Sequence, residues 1–473
     1  MISFNDYHEI RKYIFDNEIK FVSFYVIDIV GRLRNVTIPS EYFTEETLTN
    51  GIGFDASNFG YADIEKSDMI FKPDLSFAFK DPVNEDSKIL YFMCHVFNVD
   101  TGESFSQDLR HMIKKALQVL KDEGIADEVK ILVELEFNIL DEIHSIRSHR
   151  EISYSVDSSE IANPLDGSEI YRLEKNHGYF RSQPNDHTFY LRNEIVNALQ
   201  EMGFPIKYHH HEVAASQCEI EFNFMPVELA TDATVLSKNI CHRIAQKHGK
   251  IISFLPKLLP YEAGNGMHFH MYLMKNGKNI FNDEKGLYKL STIALQFLSG
   301  ILTHVSSLAA FTNPTTNSYR RLVAGLEAPS KAVFAEGNRS AAIRIPGYVK
   351  DPAKRRFEFR PGDATCNPYL AFTAAIMAGI DGVRKKIDPK EAGFGPLEVN
   401  LYKLSQEELD KIPSVPSSLG DALNSLENEN DYLTSNNVFP IELIQKWIKT
   451  KRNDIAEMQK IPHPWEIARY YDL

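Results

Sequence analysis

Cysteine is scarce and scattered: 473 residues include four, Cys94, Cys218, Cys241 and Cys366, with no Cys-x-x-Cys pair. This usage argues against a disulfide scaffold or a zinc ribbon and fits a reducing, cytoplasmic setting. Positive charge is in deficit, with 52 Lys and Arg against 65 Asp and Glu and a formal net charge of −13. That balance excludes a nucleic-acid backbone or an anionic membrane as the main partner, although local arginines can still hold an anionic substrate. No apolar run reaches bilayer length. The opening Met-Ile-Ser-Phe-Asn-Asp-Tyr-His-Glu has neither the basic nor the apolar region of a signal peptide. Familiar phosphate and nucleophile motifs are missing as well. Gly249-Lys250 runs into Ile251 instead of completing a Walker loop, and no Gly-x-Gly-x-x-Gly follows a strand. There is no Gly-x-Ser-x-Gly, and His211-Glu212 lacks the second histidine of a zincin helix. No fixed-period repeat or low-complexity tract is present. What these exclusions leave is a cytoplasmic enzyme of ordinary globular composition, 43% hydrophobic and 25% charged.

The length exceeds one core, so two domains are expected, the second of them larger. Periodicity predicts a helix over 5–16 and strands over 21–30, 33–38 and 90–97, a small α+β unit of about one hundred residues. Asp108 opens an amphipathic helix through Met112, Ile113, Ala116, Leu117 and Leu120 that stops at Gly124. The boundary is therefore placed near residue 106, giving domains 1–106 and 107–473. In the larger part, strands are expected at 129–140, 206–213, 218–225, 250–255, 266–274, 341–346 and 355–360. Helices are expected at 188–202, 228–248, 288–311 and 368–386. The polar stretch 142–187 has no clear period and reads as a surface excursion or flap, and 405–430 as a second irregular region.

Several of these strands share one grammar. Side chains alternate across a strand, so Glu134 and Glu136 face away from Val133, Leu135 and Phe137. By the same rule Glu219 and Glu221 oppose Ile220 and Phe222, and His210 and Glu212 oppose His209 and His211. His268 and His270 oppose Met267, Phe269 and Met271, while Glu358 and Arg360 oppose Phe357 and Phe359. Arg339 and Arg344 flank a further strand. Singly, each pattern is the solvated face of an amphipathic strand, a packed histidine or a surface ion pair. Jointly they describe an acidic face that a metal ion, an arginine cluster or water must neutralise. Carboxylates with one or two imidazoles and no thiolate suit Mg²⁺ or Mn²⁺ rather than zinc. Arginines beside such a site suit phosphoryl transfer.

Longer motifs carry a resemblance. They include Glu65-Lys66-Ser67-Asp68-Met69, Glu134-Leu135-Glu136-Phe137, Gly178-Tyr179-Phe180 and His210-His211-Glu212-Val213-Ala214. Gly266-Met267-His268, Asn313-Pro314-Thr315-Thr316-Asn317-Ser318-Tyr319-Arg320-Arg321, Glu327-Ala328-Pro329, Asn338-Arg339-Ser340, Asn367-Pro368-Tyr369-Leu370 and Pro462-His463-Pro464 follow in order. Over nearly its whole length the chain resembles type I glutamine synthetase. The resemblance implies an N-terminal β-grasp domain and a catalytic domain on a curved antiparallel sheet, assembled as a homo-dodecamer of two stacked hexamers with active sites between subunits. It implies ATP-dependent phosphorylation of L-glutamate to γ-glutamyl phosphate, which ammonia converts to glutamine, with two to three Mg²⁺ or Mn²⁺ ions per site.

By the match, Glu136, Glu212 and Glu219 resemble the ligands of one ion, and Glu134, His268 and Glu358 those of the other. Arg339, Arg344 and His270 match the ATP side; Gly264, Arg321 and Arg360 match the glutamate side. Glu327 resembles the flap glutamate that closes the site, and Asp55 the aspartate that reaches from the adjacent subunit to deprotonate ammonium. Departures fall at Asp55-Ala56-Ser57-Asn58, at Ala263 where an asparagine is usual, with Asn265 as a possible substitute, and at Tyr272. Tyr402 resembles an adenylylated tyrosine, but Lys403-Leu404-Ser405 departs from that motif and an unmodified tyrosine is favoured. Asp63 does not match the arginine of one feedback-regulated subgroup. The departures leave open a γ-glutamyl-amine ligase of the same fold. A catalytically silent scaffold is disfavoured because all six metal-ligand positions are kept.

Overall fold

The computed structural model describes residues 1–62, 65, 67–161, 172–323, 328–399 and 404–473. Its N-terminal part is a five-stranded sheet, β1 Phe21–Ile27, β2 Leu33–Pro39, β3 Ile52–Asp55, β4 Asp68–Lys80 and β5 Ile89–Asn98, in the order β2-β1-β5-β4-β3. β1 and β5 run parallel and the other pairs are antiparallel. Both central strands are near-continuous apolar runs because both faces are covered. Phe24, Phe43 and Phe92 pack as a triad with centroids 6.2–6.3 Å apart. The helix Tyr7–Asp16, capped by the Asp6 carboxylate on Glu9 N–H, turns Ile10 and Ile14 inward. This is the β-grasp arrangement.

The larger sheet holds β6 Glu128–Leu140, β9 Ile206–His211, β10 Gln217–Phe222, β11 Met225–Pro226, β12 Ile251–Ser253, β13 Met267–Lys275, β14 Lys278–Asn279, β15 Lys331–Glu336, β16 Ala341–Ile345 and β17 Phe357–Phe359. Its main path is β15-β16-β17-β13-β6-β10-β9, with β11 and β12 also on β6 and β14 on β13. Every pairing is antiparallel except the parallel β15–β16. Residues Val133, Leu135, Phe137, Phe269 and Phe359 are fully buried beneath helices, and Phe372 of the helix Pro368–Arg384 packs edge-on against Phe269 at 5.2 Å. That helix crosses Thr292–Thr303 closely enough that a Cβ on Gly382 would lie 2.2 Å from the Gln296 carbonyl oxygen. Glycine is required there.

Three expectations change on inspection. The helix expected over 288–311 is two helices, Thr292–Thr303 and Val305–Thr312, meeting at 75°. His304 sits at the break, its Nε2 2.7 Å from Asp381 Oδ2 and its ring stacked on Tyr432 at 3.9 Å. The stretch 142–187 contains a hairpin, β7 Glu142–Arg147 and β8 Ile152–Asp157. Both of its faces are largely exposed, so no hydrophobic alternation marks it. The stretch 405–430, read as irregular, holds the helices Gln406–Asp410 and Leu419–Asn428, and the buried parallel strand β15 and the helix Ile441–Gln459 lie outside the sequence reading. Among the described residues no single helix is long and apolar enough to cross a membrane.

Candidate active site

The second sheet's register gathers its polar side chains. Across β6–β10, Glu136 lies opposite Glu219 and Glu134 opposite Glu221; across β6–β13, Glu134 lies opposite His268. His270 and Arg344 both lie opposite Glu358, and His210 opposite Glu219. The result is a cavity of about 220 Å³ lined by five glutamates, four arginines, two histidines and three tyrosines, with Gln217, Ala263 and Gly264.

One half of the cavity is electrically compensated. Glu134 Oε2 lies 2.9 Å from His268 Nδ1, and its Oε1 lies 2.8 Å from His270 Nε2. Burial alone would raise this carboxyl, but the two imidazoles hold it well below the usual range. Glu358 accepts from Arg344 Nη1 at 2.7 Å and from Arg360 Nε at 3.0 Å. Burial and Glu134 push Glu358 up; Arg360 and the two histidines prevail and lower it.

The other half is not. Glu212 is pushed well above its ordinary value by burial and by Glu136 and Glu219. Glu219 is pushed up by burial and by Glu134, Glu136, Glu221 and Glu358. His210 is the nearest base, 3.2 Å from Glu219 and 3.7 Å from Glu212. Three sets, Glu134–His270–Glu358, His210–Glu212–Glu219 and Glu134–Glu219–Glu221, each place their donor atoms within 4.8 Å of one another. Buried oxygens that repel one another, with imidazole beside them and no thiolate, fit a hard divalent cation.

An arginine wall faces the carboxylates. Arg321 is buried, with Nη1 donating to the Pro361 and Gly362 carbonyls at 2.9 and 3.2 Å and Nη2 3.2 Å from His268 Nε2. Arg360 Nη1 also donates to the Arg339 carbonyl. Arg339 is exposed, its guanidinium 5.8 Å over the Tyr179 ring. Arg344 retains a buried Nε with no partner among the described residues, a donor open to an anion such as a phosphate oxygen.

Of the residues singled out in the sequence, Glu134, Glu136, Glu212, Glu219, Glu358, His268, Gly264, Arg321, Arg339, Arg344 and Arg360 all line this one cavity. His270 is fully buried behind Glu134, with Nδ1 taking a bond from Arg356 Nε at 3.1 Å. Asp55 is not brought there. It is exposed at the end of β3, where Ser57 and Asn58 bond its carboxyl and lower its pKa. Glu327, Tyr402 and Asp63 lie outside the described residues. Asn265 does not replace an asparagine at 263: its side chain is buried against Asn138 Oδ1 and the Leu255 carbonyl at 2.7 and 2.9 Å. Tyr272 packs edge-on against Phe224 at 4.7 Å, and Arg356 lies 5.2 Å over Phe224, a cationic and aromatic wall beside His270 that sequence reading missed. Gln217 was missed too. Its Nε2 lies 3.1–3.2 Å from Glu136, the Gly264 carbonyl and Asn265. Extending the Glu219–Glu221 face one step back along β10 would have found it.

Comparison with known proteins agrees with this geometry. Residues 18–99 match the family model for the glutamine synthetase β-grasp domain, and residues 106–470 that for the glutamine synthetase catalytic domain. The glutamine synthetase of Aquifex aeolicus is 42% identical over 458 residues, covering 96% of each chain. That of Frankia alni is 38% identical over 99% of this chain and all of its own. The cryo-EM structure of Plasmodium falciparum glutamine synthetase superposes with a TM-score of 0.90 at 29% identity, covering 99% of each chain. With both of its domains matched and relatives aligned from end to end, the chain belongs to the glutamine synthetase family.

Proposed function

We infer that the chain is a glutamate–ammonia ligase: it uses ATP to make γ-glutamyl phosphate from L-glutamate and lets ammonia displace the phosphate to give glutamine. One observation carries the reading: an uncompensated carboxylate cluster and an arginine wall face each other across a single cavity. Glu136, Glu212 and Glu219 would hold one divalent cation, and Glu134, His268 and Glu358 a second. Bound there, the ions neutralise charge on the transferring phosphoryl group. Arg339 and the unpartnered Nε of Arg344 receive the phosphate oxygens, with His270 on the nucleotide side. Arg321 and Arg360, with Gly264, hold the glutamate; a planar guanidinium matches a carboxylate in two bonds. Glu327, and Asp55 of a neighbouring subunit, take the proton of ammonium, since a carboxylate both attracts that cation and accepts its proton.

The remaining proposals rest on family membership with supporting features of this chain. Division at 1–106 and 107–473 agrees with a first sheet ending at Asn98 and a second beginning at Glu128. A homo-dodecamer of two hexamers accords with Asp55 lying away from the cavity of its own chain; light scattering on the eluted protein tests it. A cytoplasmic location accords with four free, buried cysteines. The function is tested by Mg²⁺-dependent phosphate release from ATP and glutamate, comparing ammonium with putrescine, spermidine and methylamine. Release strongest with ammonium, with glutamine as product, is expected. Release stimulated only by an organic amine would overturn the assignment.

A further inference from the structure

Two buried carboxylates, Glu160 and Glu262, lie outside the cavity lining, yet both reach the same turn. This turn, residues 212–217, reverses the chain between β9 and β10 and delivers Glu212 and Gln217 to the cavity. It is tight: Glu212 N–H donates to the Gln217 carbonyl at 2.7 Å, and Gln217 N–H to the Ala214 carbonyl at 3.2 Å. Closing it sets Ser216 at φ +59, in the left-handed region that a side chain disfavours. Successive N–H groups around such a residue converge on an anion.

Here two carboxylates take the N–H groups, one from each side. Ser216 N–H donates to Glu160 Oε2 at 2.7 Å, and Ala215 N–H to Glu262 Oε2 at 3.0 Å. Glu160 is fully buried; the same oxygen lies 2.9 Å from His211 Nε2, and its Oε1 accepts from His187 N–H at 2.8 Å. Glu262 also meets Asn176 N–H at 3.5 Å, and the Asn176 Oδ1 accepts from Ala263 N–H at 2.9 Å. The turn, the segment leading to Tyr179 and the loop carrying Gly264 are thereby fastened together. Only acceptors can serve: an amide in place of Glu160 presents an N–H₂ group to at least one donor.

We propose that Glu160 and Glu262 are positioning residues, holding the strained 212–217 turn so that Glu212 and Gln217 face the cation set of the cavity. The inference rests on the cation reading of that cavity given above. Mn²⁺ binding to the full-length, substrate-free protein, followed by electron paramagnetic resonance, tests it alongside thermal melting. E160Q is expected to weaken Mn²⁺ binding about tenfold or more. S216G in the E160Q background is expected to recover most of that loss, because glycine adopts φ +59 without the clamp. Equal affinity of E160Q and the unaltered protein overturns the proposal, as does a loss that S216G leaves unrepaired. Should E160Q fail to fold, E262Q, on the turn's other side, is read by the same criteria. A wild-type protein that binds no Mn²⁺ overturns the cation reading together with the proposal, a result distinct from any given by the variants.

Discussion

Arg321 Nη2 lies 3.2 Å from His268 Nε2. A guanidinium has only donors, so Nε2 accepts and the ring proton stands on Nδ1, facing Glu134 Oε2 at 2.9 Å. Arg321 thus occupies Nε2 and leaves Nδ1, on losing its proton, as the nitrogen turned toward the carboxylates and able to ligate a cation. Arg321→Lys keeps the charge and loses the fork. We expect the KM for glutamate to rise by ~10- to 100-fold, the loss of one charged hydrogen bond, with Mn²⁺ binding retained. Steady-state kinetics over a glutamate series decides it; an unchanged KM removes Arg321 from the glutamate side.

Carboxyls whose folded-state pKa is raised by burial and mutual repulsion lower the stability of the folded chain once pH exceeds their unfolded-state value. Metal-free protein should therefore melt lower than protein given Mg²⁺ or Mn²⁺. A cation at 100 times its Kd contributes about 2.7 kcal/mol. Glu212→Gln should raise the metal-free melting point and diminish the gain on adding metal. A variant that melts below the wild type without metal would contradict the repulsion among Glu136, Glu212 and Glu219.

Glu327→Ala should abolish glutamine formation and leave Mn²⁺ and ATP binding largely intact, since the residue is assigned to the ammonium proton alone. Product analysis and nucleotide titration separate the two effects. Near-normal turnover would remove Glu327 from that role.

A second titratable group that bears on stability lies outside the cavity lining. His95 sits 3.1 Å from Asp108 and 3.4 Å from Asp74, with Lys114 Nζ 3.2 Å from its Nε2 and Arg110 bonded to Asp74 at 2.7 Å. Burial would lower this imidazole, but the two aspartates raise it above its ordinary 6.5. A raised folded-state pKa contributes stability below the unfolded value, and that contribution is lost as pH climbs through the folded value. Melting curves of wild type and His95→Gln should therefore converge as pH rises above 6.5. A constant difference at every pH would show that His95 stays neutral.

Much of the site was legible because it is written on strands. Period-two alternation alone separates Glu134 and Glu136 from Val133, Leu135 and Phe137, and the register then makes neighbours of residues more than a hundred positions apart, Glu134 and His268. What stayed hidden had a physical reason. Gln217 and Arg356 lie one step beyond the Glu219–Glu221 and Glu358–Arg360 faces, at strand ends where only the folded sheet shows what they touch. Ser216 takes a left-handed backbone that serine does not advertise. The β7–β8 hairpin is exposed on both faces, so burial imposes no pattern on it. The break at His304 depends on Asp381 and Tyr432, both distant in sequence.

β6 pairs along both edges, with β13 and β12 on one side and β10 and β11 on the other. Its amides at Glu134 and Glu136 can therefore exchange with solvent deuterium only when the whole sheet opens. The chain leaves that strand at Asp141 and enters a hairpin whose two strands, among the described residues, pair only with each other. Exchange rates should therefore step upward across Asp141, from a strand held along both edges to a hairpin open to solvent.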